Sequence, residues 1–275
     1  MSDSDYVLVE RPRPAVALVT LNRPERMNSM AFDVMIPLRD VLAELTYDND
    51  VRAVVLTGAG RGFSSGADHK SAGAVPHVAG LTRPTYALRS MEILDEVILA
   101  MRRLHQPIIA AVNGAAIGGG LCLALAADIR VAASDAYFRA AGINNGLTAS
   151  ELGLSYLLPR AIGSSRAFEI MLTGRDVDAT EAERIGLVSR QVPAADLLET
   201  CYEIAERIAA FSRPGTELTK RTLWTGLDAG TLEGHMQAEG LGQLYVRLLT
   251  ANFEEAVAAR AEKRPPAFTD DKPQG

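Results

Sequence analysis

The chain has 275 residues, of which 48% are hydrophobic and 23% charged, with a mean hydropathy of +0.06, the balance of a soluble globular protein built as one large domain or one domain with an appendage. A net charge of −6 and a pI near 5.4 argue against a general nucleic-acid binder. Cys122 and Cys201 cannot form a disulfide framework and lack metal-ligand spacing, so a reducing cytoplasmic interior is expected. The acidic, polar start (residues 1–5) does not read as a secretory signal.

In chain order, residues 6–10 and 15–21 alternate, are rich in valine and leucine, and predict a hairpin. Met35, Leu38, Leu42 and Leu45 give residues 30–45 helical spacing, with Pro37 awkward unless the first turn begins just before it. Residues 51–57 predict a buried strand, followed by a glycine-rich loop over 58–66. Residues 71–88 lack a period and hold Pro76 and Pro84, which predicts a mobile insertion before a helix over 91–104. The 22 uncharged residues 106–127 are long enough to suggest a membrane span. Asn113, Gly114 and the run Gly118-Gly-Gly120 divide them instead into a buried strand, a glycine loop and a buried helix. Further strands are expected at 129–132 and 137–138. After about residue 195 the strands stop, and 197–211, 215–224, 232–249 and 253–262 read as helices. The pattern predicts an α/β core over 1–195, a C-terminal helical module over 196–265 for packing or oligomerisation, and a disordered tail over 266–275.

Three glycine-bearing motifs could carry chemistry. Gly62-Phe-Ser64-Ser-Gly66 matches the nucleophile elbow of α/β-hydrolases, yet the preceding strand ends near Thr57, and His69, His77, His105 and His235 lie in no telling context. The loops Phe63-Ser-Ser-Gly-Ala-Asp68 and Asn113-Gly-Ala-Ala-Ile-Gly-Gly-Gly120 each follow a buried strand and lack both the dinucleotide fingerprint and a P-loop lysine. Such loops expose backbone N–H groups with no side chain in the way. Two converging on one point form an oxyanion hole; otherwise they are close-packed turns.

Leu21-Asn-Arg-Pro24 with Asn28, Val54-Val-Leu-Thr-Gly58, these two loops, Ala127-Asp-Ile-Arg130, Leu158-Pro-Arg160, Leu172-Thr-Gly174, Ala182-Glu-Arg-Ile-Gly-Leu-Val188 and Glu262-Lys-Arg-Pro265 follow in order. From about residue 6 to 268 the chain thereby resembles the crotonase (enoyl-CoA hydratase/isomerase) superfamily. The resemblance implies a spiral of β–β–α turns with a helical C-terminal module, a homotrimer or dimer of trimers, and acyl-CoA thioesters as ligands. It implies that the N–H groups of Ala67 and Gly119 hold the thioester oxygen, that Ala67, Asp68, His69 and Lys70 line the CoA channel, and that Asp68 holds the loop in shape. Lys70 is a candidate for CoA phosphates; Lys263 or Arg264 is another, or else these two form a solvated helix end. No metal or redox cofactor is implied, coenzyme A being part of the substrate.

The catalytic carboxylates depart from the family pattern. Typical hydratases of the family place glutamates where this chain has Cys122 and Gly142, and neither residue can serve as a general base. Cys122, in Leu-Cys-Leu, reads as a small core residue. Glu151 falls where some family isomerases place a single catalytic glutamate, while Thr148-x-x-Glu151 is also a capping box that would open the next helix. His69 is a minor acid–base candidate or an exposed loop residue. The expected activity is an enoyl-CoA hydratase/isomerase reaction on fatty acyl-CoA. Double-bond isomerisation by Glu151 is favoured and hydration stays open. The alternative is an acyl-CoA binding or carrier protein that has lost the chemistry.

Overall fold

The structure, a computed structural model, describes residues 6–270. The hairpin forms as β1 (Val7–Arg13) and β2 (Val16–Leu21), antiparallel with a bulge between Glu10 and Arg13. Then follow α1 (Phe32–Thr46), β3 (Ala53–Gly58), β4 (Gly62–Ser64), α2 (Arg83–Arg103), β5 (Ile108–Val112), β6 (Ala115–Ile117), α3 (Gly119–Ala126), β7 (Ile129–Ala133) and β8 (Tyr137–Arg139). The core closes with α4 (Leu154–Ile162), α5 (Ser164–Thr173), β9 (Asp176–Asp178), α6 (Ala179–Ile185) and β10 (Arg190–Val192). The helices α7 (Leu197–Ala209), α8 (Arg213–Gly226), α9 (Leu232–Leu249) and α10 (Asn252–Glu262) make up the C-terminal part.

Two sheets organise the core. One has the order β1-β2-β3-β5-β7-β10, the other β4-β6-β8-β9. Three times in succession a strand of the first sheet (β3, β5, β7) is followed by one of the second (β4, β6, β8) and then a helix, which is a ββα spiral. Pairing is parallel except for β1–β2 and β8–β9. The strands β3 and β5 are buried along their whole length, so they read as continuous apolar runs rather than alternating ones. All eight residues of α3 are buried. Among the described residues no helix is long and apolar enough to cross a membrane.

Several expectations change. The stretch 58–66 is interrupted by β4, whose three residues are too few to show a period. Pro84 opens α2 at its first turn, where its missing N–H costs nothing, so helix takes the last third of the expected insertion while 71–82 stay irregular. Pro37 lies inside α1 beyond its first turn, and the helix continues past it with one backbone bond fewer. Of the expected tail, 266–270 lack regular structure, but Asp270 accepts hydrogen bonds from Asn252 Nδ2 (2.6 Å) and the Arg213 N–H (3.1 Å). Residues 271–275 lie outside the described part, as do 1–5.

Candidate active site

The site is assembled where strands of the two sheets hand over to each other. Asn28, wholly buried and itself left-handed at φ 52°, donates from Nδ2 to the carbonyls of Ala59 (2.9 Å) and Gly62 (2.8 Å). Its own carbonyl accepts the Ser64 hydroxyl at 2.8 Å. Ser64 is therefore spent on structure: it is 0% exposed, ends a strand, and no helix follows it. The nucleophile-elbow reading fails on this geometry, because an elbow needs its serine exposed between strand and helix.

Beyond Ser64 the chain turns at Gly66, whose φ of +79° suits a residue without a β-carbon. Met30 donates to the Gly66 carbonyl (2.7 Å) and accepts from the Asp68 N–H (2.9 Å). This parallel bridge is centred on Ala67 and turns the Ala67 N–H away from Met30. Asp68 anchors the loop. Its carboxylate takes Arg26 Nη2 (2.6 Å), Arg23 Nη1 (3.0 Å), Ser29 Oγ (3.1 Å) and the N–H groups of Lys70 and Ser71 (both 2.9 Å). Burial alone would raise its pKa, but the hydrogen bonds from Arg26, Ser71, Lys70 and Ser29 outweigh it and hold the carboxyl well below the usual carboxylate range.

The second loop follows β5. Asn113 ties it to the first by donating to the carbonyls of Gly58 (2.8 Å) and Gly60 (3.0 Å). Gly119 is the first residue of α3, so its N–H has no intrahelical acceptor. The two loops touch: a β-carbon on Gly66 would stand 2.6 Å from the Ile117 carbonyl oxygen and 3.3 Å from the Gly119 nitrogen. Among the described residues neither the Ala67 nor the Gly119 N–H has a hydrogen-bond acceptor. Two free donors on adjoining backbone are the parts of an oxyanion hole.

Glu151 brings a carboxylate to the same place. Its Oε1 lies 3.1 Å from where a β-carbon on Gly118 would stand, beside the peptide that carries the Gly119 N–H. Burial pushes its pKa up, and the charge of His69 opposes the rise. The capping-box reading is overturned. Helix α4 starts at Leu154 with Gly153 as its cap, and the Thr148 hydroxyl goes to the Ser150 carbonyl (3.3 Å). Cys122 is 0% exposed, with a thiol pKa pushed well up by burial and then by Glu151. Gly142 is buried against Thr148, whose carbonyl oxygen a β-carbon there would overlap.

His69 and Lys70 are exposed just beyond the anchored Asp68. Farther along the chain, Lys263 caps α10 in a left-handed conformation, and Arg264 is paired with Glu255 and Glu262. The sequence reading left out Arg23, Arg26 and Ser29 as partners of Asp68; the signal was the Leu21-Asn-Arg-Pro24 motif with Asn28, which frames them. Met30 was missed as well, and its sulfur fills the space beside Gly119.

Known proteins resemble this chain along nearly its whole length. The family model described as Enoyl-CoA hydratase/isomerase matches residues 12–272. A Mycobacterium tuberculosis H37Rv protein named probable enoyl-CoA hydratase EchA12 is 83% identical over 270 residues, covering 98% of this chain and 95% of its own. The crystal structure of a probable enoyl-CoA hydratase/isomerase from Mycobacterium abscessus superposes with a TM-score of 0.93 at 74% identity, covering 97% of this chain and 100% of that one. A structure described as a monofunctional enoyl CoA isomerase from M. smegmatis gives a TM-score of 0.73 at 70% identity, covering 85% and 99%. With its spiral core, its pair of unoccupied backbone donors and these likenesses, the chain belongs to the enoyl-CoA hydratase/isomerase family of the crotonase superfamily.

Proposed function

We propose that this chain isomerises the double bond of fatty enoyl-CoA thioesters, with Glu151 as the single acid–base group. The observation that carries the reading is the Glu151 carboxyl beside the Gly118–Gly119 peptide, next to two N–H groups without acceptors. A thioester oxygen held by the Ala67 and Gly119 N–H groups lets the α-proton leave, because the negative charge moves onto that oxygen. Glu151 takes the proton from C2 of a 3-enoyl-CoA, leaving a dienolate with a C1–C2 double bond, its charge on the held oxygen and the C3–C4 double bond still in place. It returns the proton to C4 as the C1–O and C2–C3 double bonds form and the C3–C4 double bond is lost. One carboxyl group suffices for this, and its raised pKa suits a group that both accepts and returns a proton. Nothing is oxidised or reduced, so the reaction calls for no redox cofactor. Exposed His69 and Lys70 would face the CoA part of the substrate, with Lys70 toward its phosphates.

Hydration, by contrast, asks for a second group to handle the water. Of the two usual glutamate positions, one is Cys122 inside the core and the other is Gly142, where any side chain meets the Thr148 carbonyl. The same observation favours the second reading, an acyl-CoA carrier without turnover. The name of the M. smegmatis relative, an isomerase, supports the first.

The test is incubation of the purified protein with 2-enoyl- and 3-enoyl-CoA in D₂O, followed by mass spectrometry. Isomerisation is expected, falling by about 10²–10⁴ in Glu151→Gln, with deuterium entering only as far as the Glu151 carboxyl exchanges with solvent before returning its proton. A mass gain of one water would make the protein a hydratase. Tight binding with neither isomerisation nor exchange across chain lengths would make it a carrier.

A further inference from the structure

Cys122 occupies the position of a missing glutamate, and its bonds reach both halves of the proposed site. Its N–H donates to the Gly118 carbonyl at 3.1 Å, and its Sγ lies 3.3 Å from the same oxygen. That oxygen belongs to the peptide whose other end is the Gly119 N–H. In a planar trans peptide the two point in opposite directions, so holding the oxygen inward aims the N–H outward. The same Sγ lies 3.4 Å from the Glu151 backbone carbonyl.

Glu151 needs such a tether. It stands on a turn, followed by Leu152 at φ 45° and Gly153 at φ 79°. A left-handed leucine is strained and persists only where its surroundings over-determine it. The Glu151 carbonyl also accepts the Leu154 N–H at 2.7 Å, and Leu152 packs beside Gly119. Across this contact the thiol joins a rigid buried helix to the turn that carries the carboxylate.

Resting on the isomerase reading above, we propose that Cys122 is a positioning residue. Its single thiol proton is shared between the Gly118 and Glu151 carbonyls, and so fixes the oxyanion donor and the catalytic base relative to each other. The high thiol pKa keeps the proton that donates, and makes the sulfur a poor nucleophile.

The experiment compares wild type, Cys122→Ala, Cys122→Ser, Cys122→Val and Glu151→Gln in the 3-enoyl-CoA assay, with kcat and KM measured separately. Cys122→Ala and Cys122→Val, which lack the donor, should lose about tenfold to a hundredfold in kcat, with KM changed less than threefold. Cys122→Ser keeps a donor and should recover most of the loss. Wild-type kcat in Cys122→Ala or Cys122→Val overturns the proposal, as does a Cys122→Ser variant no better than folded Cys122→Val. If the alanine variant does not fold, the serine–valine comparison decides. Activity surviving in Glu151→Gln would instead remove the reading on which this one rests.

Discussion

Glu151 must give up its proton to act as a base, and burial makes that harder. Activity should therefore fall as pH drops through its raised pKa, which moves the acid limb of kcat/KM upward from the ordinary glutamate value. His69 opposes the rise, so His69→Gln should move that limb to higher pH, and His69→Lys should not; a pH–rate profile reads this directly. The stability linkage has the opposite sign. The folded chain binds this proton more tightly than the unfolded one, so stability is lost as pH rises from the ordinary carboxylate value to the raised one. Glu151→Gln should then unfold at a higher temperature than wild type at pH 7, with no difference below the ordinary value. Of the site, the two glycine loops were legible because each follows an apolar strand, while the choice of Ala67 and Gly119 within them came from the family resemblance. The cap reading of Thr148 and Glu151 misled because spacing alone cannot show that α4 starts beyond both residues, at Leu154. The link from Cys122 to the Glu151 carbonyl spans 29 positions, and no local pattern encodes it.

At the scale of elements, α8 is fastened to the core through a buried ion pair. Lys220 of α8 places Nζ 2.9 Å from Asp128 Oδ2, 2.9 Å from the Gln106 carbonyl and 3.3 Å from that of Met101. Asp128 also accepts the Ile108 N–H (2.7 Å) and Trp224 Nε1 (2.6 Å), so α8 is tied to the starts of β5 and β7. The side chains of Lys220 and Asp128 are 5% and 15% exposed. Removing one partner leaves the other charged and largely cut off from water. Lys220→Met should therefore cost about 3 kcal/mol in urea unfolding, and adding Asp128→Asn should restore part of it, since a neutral pair carries no stranded charge. If the double variant is no better than the single, the lost carbonyl contacts of Lys220 outweigh the charge. The long strands and the helix α9 were legible from period and length. The strands β4, β6 and β9 were not, because three residues cannot establish an alternation. These short strands build the second sheet, and with it the spiral.

At the scale of the whole molecule, α9 is the element a single chain does not explain. None of its 18 residues is buried, yet Leu241, Leu244, Leu248 and Leu249 are 72%, 55%, 59% and 56% exposed. Beside it, Leu223 and Leu227 of α8 are open toward a cavity of about 730 Å³ that Trp224 and Phe268 also line. This cavity lies by Pro107 and Ile129, at the starts of the parallel strands, while the glycine loops sit at their ends. Burying one leucine side chain is worth about 1.5–3 kcal/mol, and monomers rarely keep a contiguous apolar face of this kind in water. The occupant expected is a second copy of the chain, in the trimer or dimer of trimers that the family resemblance implies. Light scattering after gel filtration should then give three or six times the chain mass of 29.4 kDa. Leu244→Glu with Leu248→Glu should shift it toward one, because a charge buried in an apolar interface is left without a partner. The melting temperature of wild type should also rise with protein concentration, which a monomer would not show. A wild type of single-chain mass, or an assembly indifferent to both glutamates, would mean that copies of this chain do not meet on α9.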